Sequence, residues 1–223
     1  MKNLTLVIPA KYEKESLPFV LKEIKNLDCL VKIVLQSNDA DTIKSTVGYN
    51  CEIIHQKNLG YGDALITGIN SVDTEYFCIF NADGSFDPNE IVTMLNIITT
   101  HQGDFVFGSR YQKNCGSDDD TLVTYFGNFL FTKIGKILFN LSLTDILYTF
   151  VLGKTKSFKS LNCNQKDFRF CIELPVLANR SKMKILNSNS FERSRFGGKK
   201  KVNALRDGFL ILKYMLYLYF IKK

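Results

Sequence analysis

An acidic turn follows the most apolar stretch of the chain. Residues 76–80 are all apolar, and they lead directly into Asn81, Ala82 and Asp83. Such a run is typical of a strand covered on both faces, and ligands bind beyond the carboxyl ends of such strands in open α/β sheets. A carboxylate at that edge suits a hard divalent cation, so Asp83 is the first candidate for a metal ligand. The competing interpretation is that Asp83 only begins a turn.

A fixed cation follows a second apolar segment. Residues 105–107 lead into Gly108, Ser109 and Arg110. A guanidinium group presents a planar fork of donors that matches phosphate oxygens, and a divalent cation nearby would bind the same kind of oxygen. The pattern therefore indicates a phosphate-bearing substrate, against the alternative that Arg110 is a solvated loop cation.

The elements that position these residues alternate along the first half of the chain. Apolar patterning predicts strands at 4–8, 31–35, 52–55, 76–80 and 105–107, with helices at 13–26, 40–46, 61–71 and 89–99 between them. Strands that alternate with helices imply right-handed crossovers and a mostly parallel sheet. The second half predicts an amphipathic run at 125–143, a helix at 171–179, a strand at 183–188 and a terminal apolar segment.

Composition limits the class of protein. A chain of 223 residues fits one α/β domain better than two. The net charge of +7 is compatible with nucleic acid, an anionic membrane or a phosphorylated substrate. Lys and Arg concentrate in residues 192–201, directly before the apolar segment, which favours a membrane surface or phosphates, and we expect no nucleic-acid partner.

Cysteine and histidine usage excludes some chemistry. The six cysteines form no C-x-x-C pair and are expected to be reduced structural thiols. The two histidines, His55 and His101, stand far from other good ligands in sequence, so a zinc site or a histidine-based triad has little support. The first residues lack a signal-peptide pattern, and we expect a cytoplasmic protein.

A glycine-containing block follows the third predicted strand. Residues 58–68 include Gly60, Gly62 and Gly68, but they lack the G-x-G-x-x-G spacing of a dinucleotide signature. The block is either a phosphate-binding turn or a tight turn at a helix start, with Gly68 packing closely against the sheet.

Several motifs taken together resemble a known family. Pro9 and Ala10 followed by Glu13, the glycine block, the acidic turn and residues 108–111 resemble the family 2 glycosyltransferases. Residues 127–128, 144–145, 170–173 and 195–202 resemble the branch that contains dolichyl-phosphate mannose synthases and bacterial polyprenyl-phosphate glycosyltransferases.

This resemblance implies a fold and a domain plan. The expected fold is of GT-A type, a Rossmann-like α/β/α sandwich with a mostly parallel central sheet and a C-terminal amphipathic, apolar helix. Residues 1–203 would form a single GT-A domain, with a nucleotide-sugar-binding half at 1–111 and an acceptor-facing half at 112–203. Residues 204–223 would form the terminal helix.

The resemblance also implies a donor and a metal. A nucleotide-diphosphate sugar would bind with Mg²⁺ or Mn²⁺, held by Asp83, by Asn81 in place of the family's first acid, and by Ser85 in the place of a third ligand. The residues implied to contact the donor are Pro9, Ala10, Glu13, Asp39, Gly60, Gly62, Asn81 and Ala82.

Some positions depart from the family pattern. Asn81 lowers the charge of the metal site, and residues 35–41 lack the acidic run with which relatives contact the base. Tyr12 stands where the family often has asparagine, and Thr124 stands where it has arginine. A catalytically reduced nucleotide-sugar-binding subunit therefore remains an alternative to an enzyme.

The acceptor decides what catalysis requires. A lipid phosphate is already ionised and needs no strong base, so positioning and charge stabilisation would suffice. In a one-step, inverting transfer of this kind, Arg110, Arg195 and Lys201 would hold the acceptor phosphate. A glycan hydroxyl acceptor, as in surface-polysaccharide assembly, would require a base, and the candidates are Asp145 and Glu173.

The terminal segment indicates contact with a membrane. Residues 209–221 are almost entirely apolar but are too few for the roughly 20 residues that span a bilayer. With the basic cluster before them, they are expected to lie in the interface at the inner face of the membrane. The competing interpretation is a helix buried against the core or against an oligomer partner.

Overall fold

A seven-stranded sheet forms the centre of the protein. The computed structural model describes residues 1–113, 115–197 and 203–220. In spatial order the strands run β3-β2-β1-β4-β7-β5-β8, and β6 and β9 form a separate parallel pair. The strands are β1 Leu4–Pro9, β2 Leu30–Leu35, β3 Glu52–His55, β4 Tyr76–Ile79, β5 Phe105–Ser109, β6 Gly116–Ser117, β7 Val151–Lys154, β8 Ile185–Asn189 and β9 Phe191–Glu192.

Helices cover both faces of this sheet. They are α1 Ser16–Ile24, α2 Ala40–Lys44, α3 Tyr61–Asn70, α4 Asn89–Thr100, α5 Leu122–Phe139, α6 Thr155–Leu161, α7 Phe170–Arg180 and α8 Ala204–Phe220. One apolar core lies between the sheet and helices α1 and α4. The other lies between the sheet and helices α3, α5, α6, α7 and α8. The architecture is therefore an α/β/α sandwich.

The sheet is mostly parallel, as the sequence predicts. Strand β1 pairs in parallel with β2 and β4, and β2 pairs in parallel with β3. Strand β7 alone reverses direction within this sheet, and it pairs antiparallel with both β4 and β5. Because β1 to β4 share one direction, their carboxyl ends meet at one edge, and the segments that follow them lie side by side.

Helix α5 ends earlier than the sequence predicts. The amphipathic run at 125–143 becomes a helix over Leu122–Phe139. It ends because Asn140 adopts a left-handed conformation, with φ of 53°, which stops the hydrogen-bond ladder. Leu141 and Leu143 are apolar because they are buried in the core beside the helix rather than because they extend it.

Helix α8 lies against the domain. Its inner face, formed by Ile211, Tyr214, Met215 and Leu218, is buried in the same core as the end of α5. This spacing places all four side chains on one helical stripe. Among the residues that the structure describes, no helix is both long enough and apolar enough to cross a bilayer.

Candidate active site

The carboxyl edge of four parallel strands gathers most of the candidate donor-binding residues. Pro9 ends β1, Asp39 follows β2, and Gly60 and Gly62 follow β3. The acidic turn at 81–85 follows β4. The structure thus brings these sequence-predicted residues to one edge because the β/α alternation requires it.

Asp83 is the charged centre of this edge. Its side chain is only 10% exposed, and its Oδ1 accepts a hydrogen bond of 3.0 Å from the backbone N–H of Ser85. Its Oδ2 lies 3.2 Å from Nη1 of Arg195. The carboxylate therefore faces a fixed cation across a nearly buried contact, where the low dielectric strengthens their attraction.

Backbone hydrogen bonds hold the segment that carries Arg195 against the acidic turn. The N–H of Arg193 donates to the carbonyl of Ser85 at 2.9 Å, and the N–H of Phe196 donates to the carbonyl of Asp83 at 2.8 Å. The Phe196 ring stacks on Phe19 of α1 with centroids 4.3 Å apart. The sequence assigns Arg195 to the acceptor phosphate, whereas the structure pairs it with the candidate metal ligand.

Two buried polar atoms beside Asp83 lack partners. Ser85 Oγ and Arg195 Nε are both shielded from solvent and form no hydrogen bond within the described residues. An unsatisfied buried polar group costs stability unless a ligand completes it. An oxygen without a donor and an N–H without an acceptor fit a ligand that combines a cation with anionic oxygens, as a metal-bound diphosphate does.

The donor set for a metal has little charge. Asn81 Oδ1 lies 3.5 Å from the hydroxyl of Tyr61, whose pKa is raised because the ring is buried. Within the described ranges, no three His, Cys, Asp or Glu side chains cluster closely enough to hold a metal ion. Asp83, Asn81 and Ser85 thus fit a metal that takes its remaining ligands from a diphosphate and water, and they do not fit one held by protein alone.

The glycine block has a packing role. Gly60 begins α3 with φ of 130°, a conformation that other residues rarely adopt. A Cβ on Gly60 or Gly62 would overlap the backbone carbonyls of Lys166 and Gln165, and a Cβ on Gly68 would meet the Val7 side chain at 2.5 Å. The geometry matches the interpretation of a tight turn at a helix start, with Gly68 against the sheet.

The remaining donor-side residues organise the backbone. Asp39 caps α2 at Thr42 and accepts a 2.7 Å hydrogen bond from the N–H of Tyr12. The Glu13 carboxylate accepts a 2.6 Å hydrogen bond from the Ser16 hydroxyl. Asp39 therefore shapes the loop after β1, and its oxygens are already used there.

The backbones of Ala10 and Ala82 are held at the same edge. The N–H of Ala10 donates to the carbonyl of Val34 at 2.9 Å, which extends the pairing of β1 with β2 beyond Pro9. Ala82 is buried between Asn81 and Asp83. Both residues therefore lie at the sheet edge at which a ligand would bind.

Arg110 lies in a buried cluster of carboxylates. Its Nε and Nη2 donate to the two oxygens of Asp145 at 2.7 and 3.1 Å, and its Nη1 donates to Glu192 at 2.9 Å. The guanidinium also stacks on the Tyr148 ring at 4.5 Å. Burial by itself lowers the pKa of Arg110, but Asp145 and Glu192 raise it well above its ordinary value. A phosphate would have to displace a carboxylate to reach this cation.

The two candidate bases are both engaged. Asp145 is almost fully buried and forms the fork-to-fork pair with Arg110. Glu173, also buried, accepts hydrogen bonds from the backbone N–H groups of Asn164 and Gln165 at 2.9 and 2.8 Å, and from the Tyr214 hydroxyl at 3.1 Å. Each carboxylate thus supports structure, and every oxygen of the two accepts at least one hydrogen bond.

The sequence does not predict one residue of the site, Glu192, and one predicted residue lies outside the part of the chain that the structure describes. The sequence places Glu192 in a basic stretch, whereas the structure shows that it joins Arg110 to the segment that carries Arg195. Its only signal in the sequence is an acid inside a run of cations. Lys201, predicted to hold the acceptor phosphate, lies outside the described residues.

Solved structures with the same fold identify the class. Glucosyl-3-phosphoglycerate synthase from Mycobacterium tuberculosis, in complex with Mn²⁺, UDP and glucosyl-3-phosphoglycerate, superposes with a TM-score of 0.75 at 12% identity. That comparison covers 97% of this chain and 79% of the synthase chain. Mannosyl-3-phosphoglycerate synthase from Rubrobacter xylanophilus gives 0.73 at 13% identity, covering 96% and 72%. The fold is therefore GT-A-like.

The sequence comparison then gives the family. The model of glycosyl transferase family 2 matches residues 5–161, and the chain belongs to that family. The prediction of a family 2 glycosyltransferase is confirmed.

Two relatives match this chain at higher sequence identity but over a smaller share of their own length. The low-salt glycan biosynthesis hexosyltransferase Agl6 of Haloferax volcanii is 20% identical over 220 residues, which is 96% of this chain and 53% of Agl6. An uncharacterized glycosyltransferase of Mycobacterium bovis is 28% identical over 88 residues, 40% of each chain. The chain thus spans about half or less of the length of these relatives.

Proposed function

We propose that the protein is a metal-dependent, inverting glycosyltransferase that moves a sugar from a nucleotide-diphosphate sugar to a polyprenyl-phosphate acceptor, on the cytoplasmic side of a membrane. Family membership supports glycosyl transfer. Complexes of the solved neighbours with UDP and with Mn²⁺ or Mg²⁺ support a nucleotide donor and a divalent metal.

The state of the two candidate bases favours a phosphate acceptor. A sugar hydroxyl must lose a proton as it attacks, and a base within hydrogen-bond reach, such as a carboxylate or an imidazole, normally takes it. Asp145 is neutralised by Arg110, and Glu173 is held by three donors. An acceptor phosphate is an anion at neutral pH and needs no such base. This observation carries the proposal.

The donor end of the mechanism centres on Asp83 and Arg195. The Nε–H of Arg195, which has no hydrogen-bond partner among the described residues, would donate to a diphosphate oxygen, and its charge would stabilise the nucleotide diphosphate as it leaves. A divalent metal, when bound by Asp83 with Asn81 and Ser85, would supply Lewis-acid neutralisation of the diphosphate. Asp83 would also keep the Arg195 guanidinium oriented through their 3.2 Å contact.

The acceptor end requires cations that are not already paired. Arg110 holds Asp145 and Glu192, and Glu192 begins the segment that reaches the acidic turn through Arg193 and Arg195. We assign Arg110 to positioning this segment and Arg195 to the donor diphosphate, and we keep Lys201 as the candidate cation for the acceptor phosphate. An oxygen of that phosphate would attack the anomeric carbon from the face opposite the departing diphosphate, which inverts the configuration.

Two other functions have support of their own. One is transfer to a glycan hydroxyl, which is supported by the similarity to Agl6, a glycan biosynthesis hexosyltransferase. Asp145 would have to separate from Arg110 in order to act as the base for that acceptor. A nucleotide-sugar-binding subunit without catalysis is favoured by the low charge around Asp83, where Asn81 replaces an acid.

One transfer assay separates these three functions. Purified protein is incubated with UDP- and GDP-sugars and either short-chain polyprenyl phosphate or a glycan, with Mg²⁺ or Mn²⁺ and with chelator. We expect metal-dependent glycolipid, lost in Asp83→Ala and retained in Asp28→Ala, whose carboxylate is mostly exposed and remote from the edge. Product on the glycan alone would establish the hydroxyl acceptor, and donor binding without product would establish the binding subunit.

A further inference from the structure

Helices α5 and α8 lie side by side on one face of the domain. Gly208 of α8 lies beside the Phe131 ring of α5, Gly135 of α5 lies near Met215, and Phe139 contacts Tyr219 edge-to-face with centroids 6.3 Å apart. Both helices thus advance in the same direction along a shared seam. Because both inner faces are buried in one core, their opposite faces point outward on the same side of the molecule.

This outward side is unusually apolar. Of the twenty large apolar side chains that are exposed in the described residues, thirteen lie on α5 and α8. We call it the α5/α8 face, and its most exposed apolar members are Leu122, Val123, Phe126, Phe129, Leu130 and Ile137 on α5 with Leu205, Phe209 and Phe220 on α8. Soluble monomers rarely expose apolar side chains in such a concentration unless the surface binds something.

The charges on the same face are mostly positive. Lys133 and Lys136 are exposed on α5, and Arg206 and Lys213 are exposed on α8. Helix α5 contains no acidic residue, and the single acid of α8, Asp207, accepts a hydrogen bond from the N–H of Asn203 at the helix start. The described part of the face therefore combines apolar side chains with four cations and one carboxylate held by backbone.

We propose that the α5/α8 face docks the protein on an anionic lipid surface. Apolar side chains with interspersed Lys and Arg suit the boundary between headgroups and acyl chains, and exposed Tyr217 and Tyr219 suit the headgroup zone. Pairing with a second copy of the chain would bring like charges together, which disfavours that occupant. Docking does not rest on the proposed reaction, since it requires neither donor nor acceptor.

The face adjoins the candidate active site. At the start of α5, Asn128 donates a 2.9 Å hydrogen bond to the Tyr111 hydroxyl, and the Tyr125 ring meets the Tyr111 ring edge-to-face. Tyr111 follows Arg110 directly and contacts its guanidinium. Docking at this face would bring the Arg110 cluster near the lipid surface, where a phosphate on a lipid would be presented.

Vesicle flotation tests the proposal with the full chain. Wild-type protein is mixed with phosphatidylcholine vesicles, with and without phosphatidylglycerol, and no sugar donor is added. We expect binding that increases with phosphatidylglycerol and falls at least about tenfold in Phe126→Glu/Phe209→Glu. Lys133→Gln/Lys213→Gln is expected to lose the preference for phosphatidylglycerol while keeping residual binding.

A matched control changes exposed apolar residues elsewhere. Val47 and Val92 are exposed outside the face, so Val47→Glu/Val92→Glu should bind like the wild type. Circular dichroism checks that all variants remain folded. The proposal is overturned if wild-type protein ignores phosphatidylglycerol vesicles or if the control loses binding equally. It is also overturned if light scattering finds a lipid-free dimer that Phe126→Glu/Phe209→Glu dissociates, because the face would then be a dimer interface.

Discussion

Replacing Asp145 with asparagine tests the buried cluster around Arg110. The Asp145 side chain is 0% exposed and accepts two hydrogen bonds, of 2.7 and 3.1 Å, from the Arg110 guanidinium. Asparagine keeps the volume but removes the charge and turns one acceptor oxygen into an NH₂ donor, so Asp145→Asn breaks the ion pair without creating a cavity. Glu192 still pairs with Arg110 at 2.9 Å in the variant, which limits the loss.

The size of the effect follows from burial. Breaking a buried ion pair costs about 3 to 5 kcal/mol. Two carboxylates remain near Arg110 in the variant, Glu192 at 2.9 Å and Asp120 at 3.6 Å, and they favour the lower end, about 3 kcal/mol. For a protein of this size, that cost lowers the melting temperature by about 6 to 12 °C. Thermal unfolding followed by circular dichroism at neutral pH measures the shift directly.

A second aspartate in this chain provides the control. Asp167 pairs with Arg169 through the same two guanidinium nitrogens, at 2.8 Å from Nε and 2.7 Å from Nη2, but its side chain is 39% exposed. Solvent screens such a pair, so Asp167→Asn is expected to cost less than about 1 kcal/mol. Equal shifts in the two variants, or no shift in Asp145→Asn, would refute the view that burial makes the Arg110 cluster a structural support.

Two further predictions concern packing. Gly62→Ala should lower the melting temperature by at least several degrees, because the new methyl group overlaps the backbone carbonyl of Gln165. Gly127→Ala, in an open position of α5, should instead raise the free energy of unfolding by about 0.5 to 1 kcal/mol. The reverse order of melting temperatures would contradict the packing role of the glycine block. Burial raises the pKa of Cys171 to about 12 and that of Cys29 to about 11. Iodoacetamide at pH 8 should therefore label both thiols slowly in the native protein and rapidly in urea. Equally fast labelling in both states would show that these thiols are accessible in the native protein.

The position of Asp83 could be predicted because two local signals agree. The apolar run at 76–80 predicts a covered strand, and the alternation of strands and helices predicts that its carboxyl end lies beside those of β1 to β3. Both signals depend on short stretches of sequence. The structure accordingly places the acidic turn at the predicted edge.

The partners of Asp83 and Arg110 could not be predicted because they come from distant segments. Nothing near Arg195 in the sequence indicates that backbone hydrogen bonds hold it against the acidic turn. Asp145 and Glu173 read as candidate bases because the sequence shows a carboxylate but not its donors. Arg110 donates to Asp145, and two backbone N–H groups donate to Glu173. These contacts depend on the tertiary fold.

Strand β7 and the glycine block illustrate the same limit. No pattern in the sequence predicts the strand at Val151–Lys154, and its reversed direction depends on the hydrogen bonds that β4 and β5 offer. Gly60 and Gly62 are small because residues 165–167 approach them, a contact that no local spacing encodes.

The most direct test of the proposed reaction compares two acceptors that differ only in their phosphate. Short-chain polyprenyl phosphate and the matching polyprenol are each incubated with the protein, divalent metal and the donor that supports transfer. The proposed mechanism, in which the acceptor brings its own charge and both candidate bases stay engaged, requires glycolipid from the phosphate and none from the alcohol. Comparable transfer to the polyprenol, or to a glycan hydroxyl, would contradict it, because the protein would then have to provide a base.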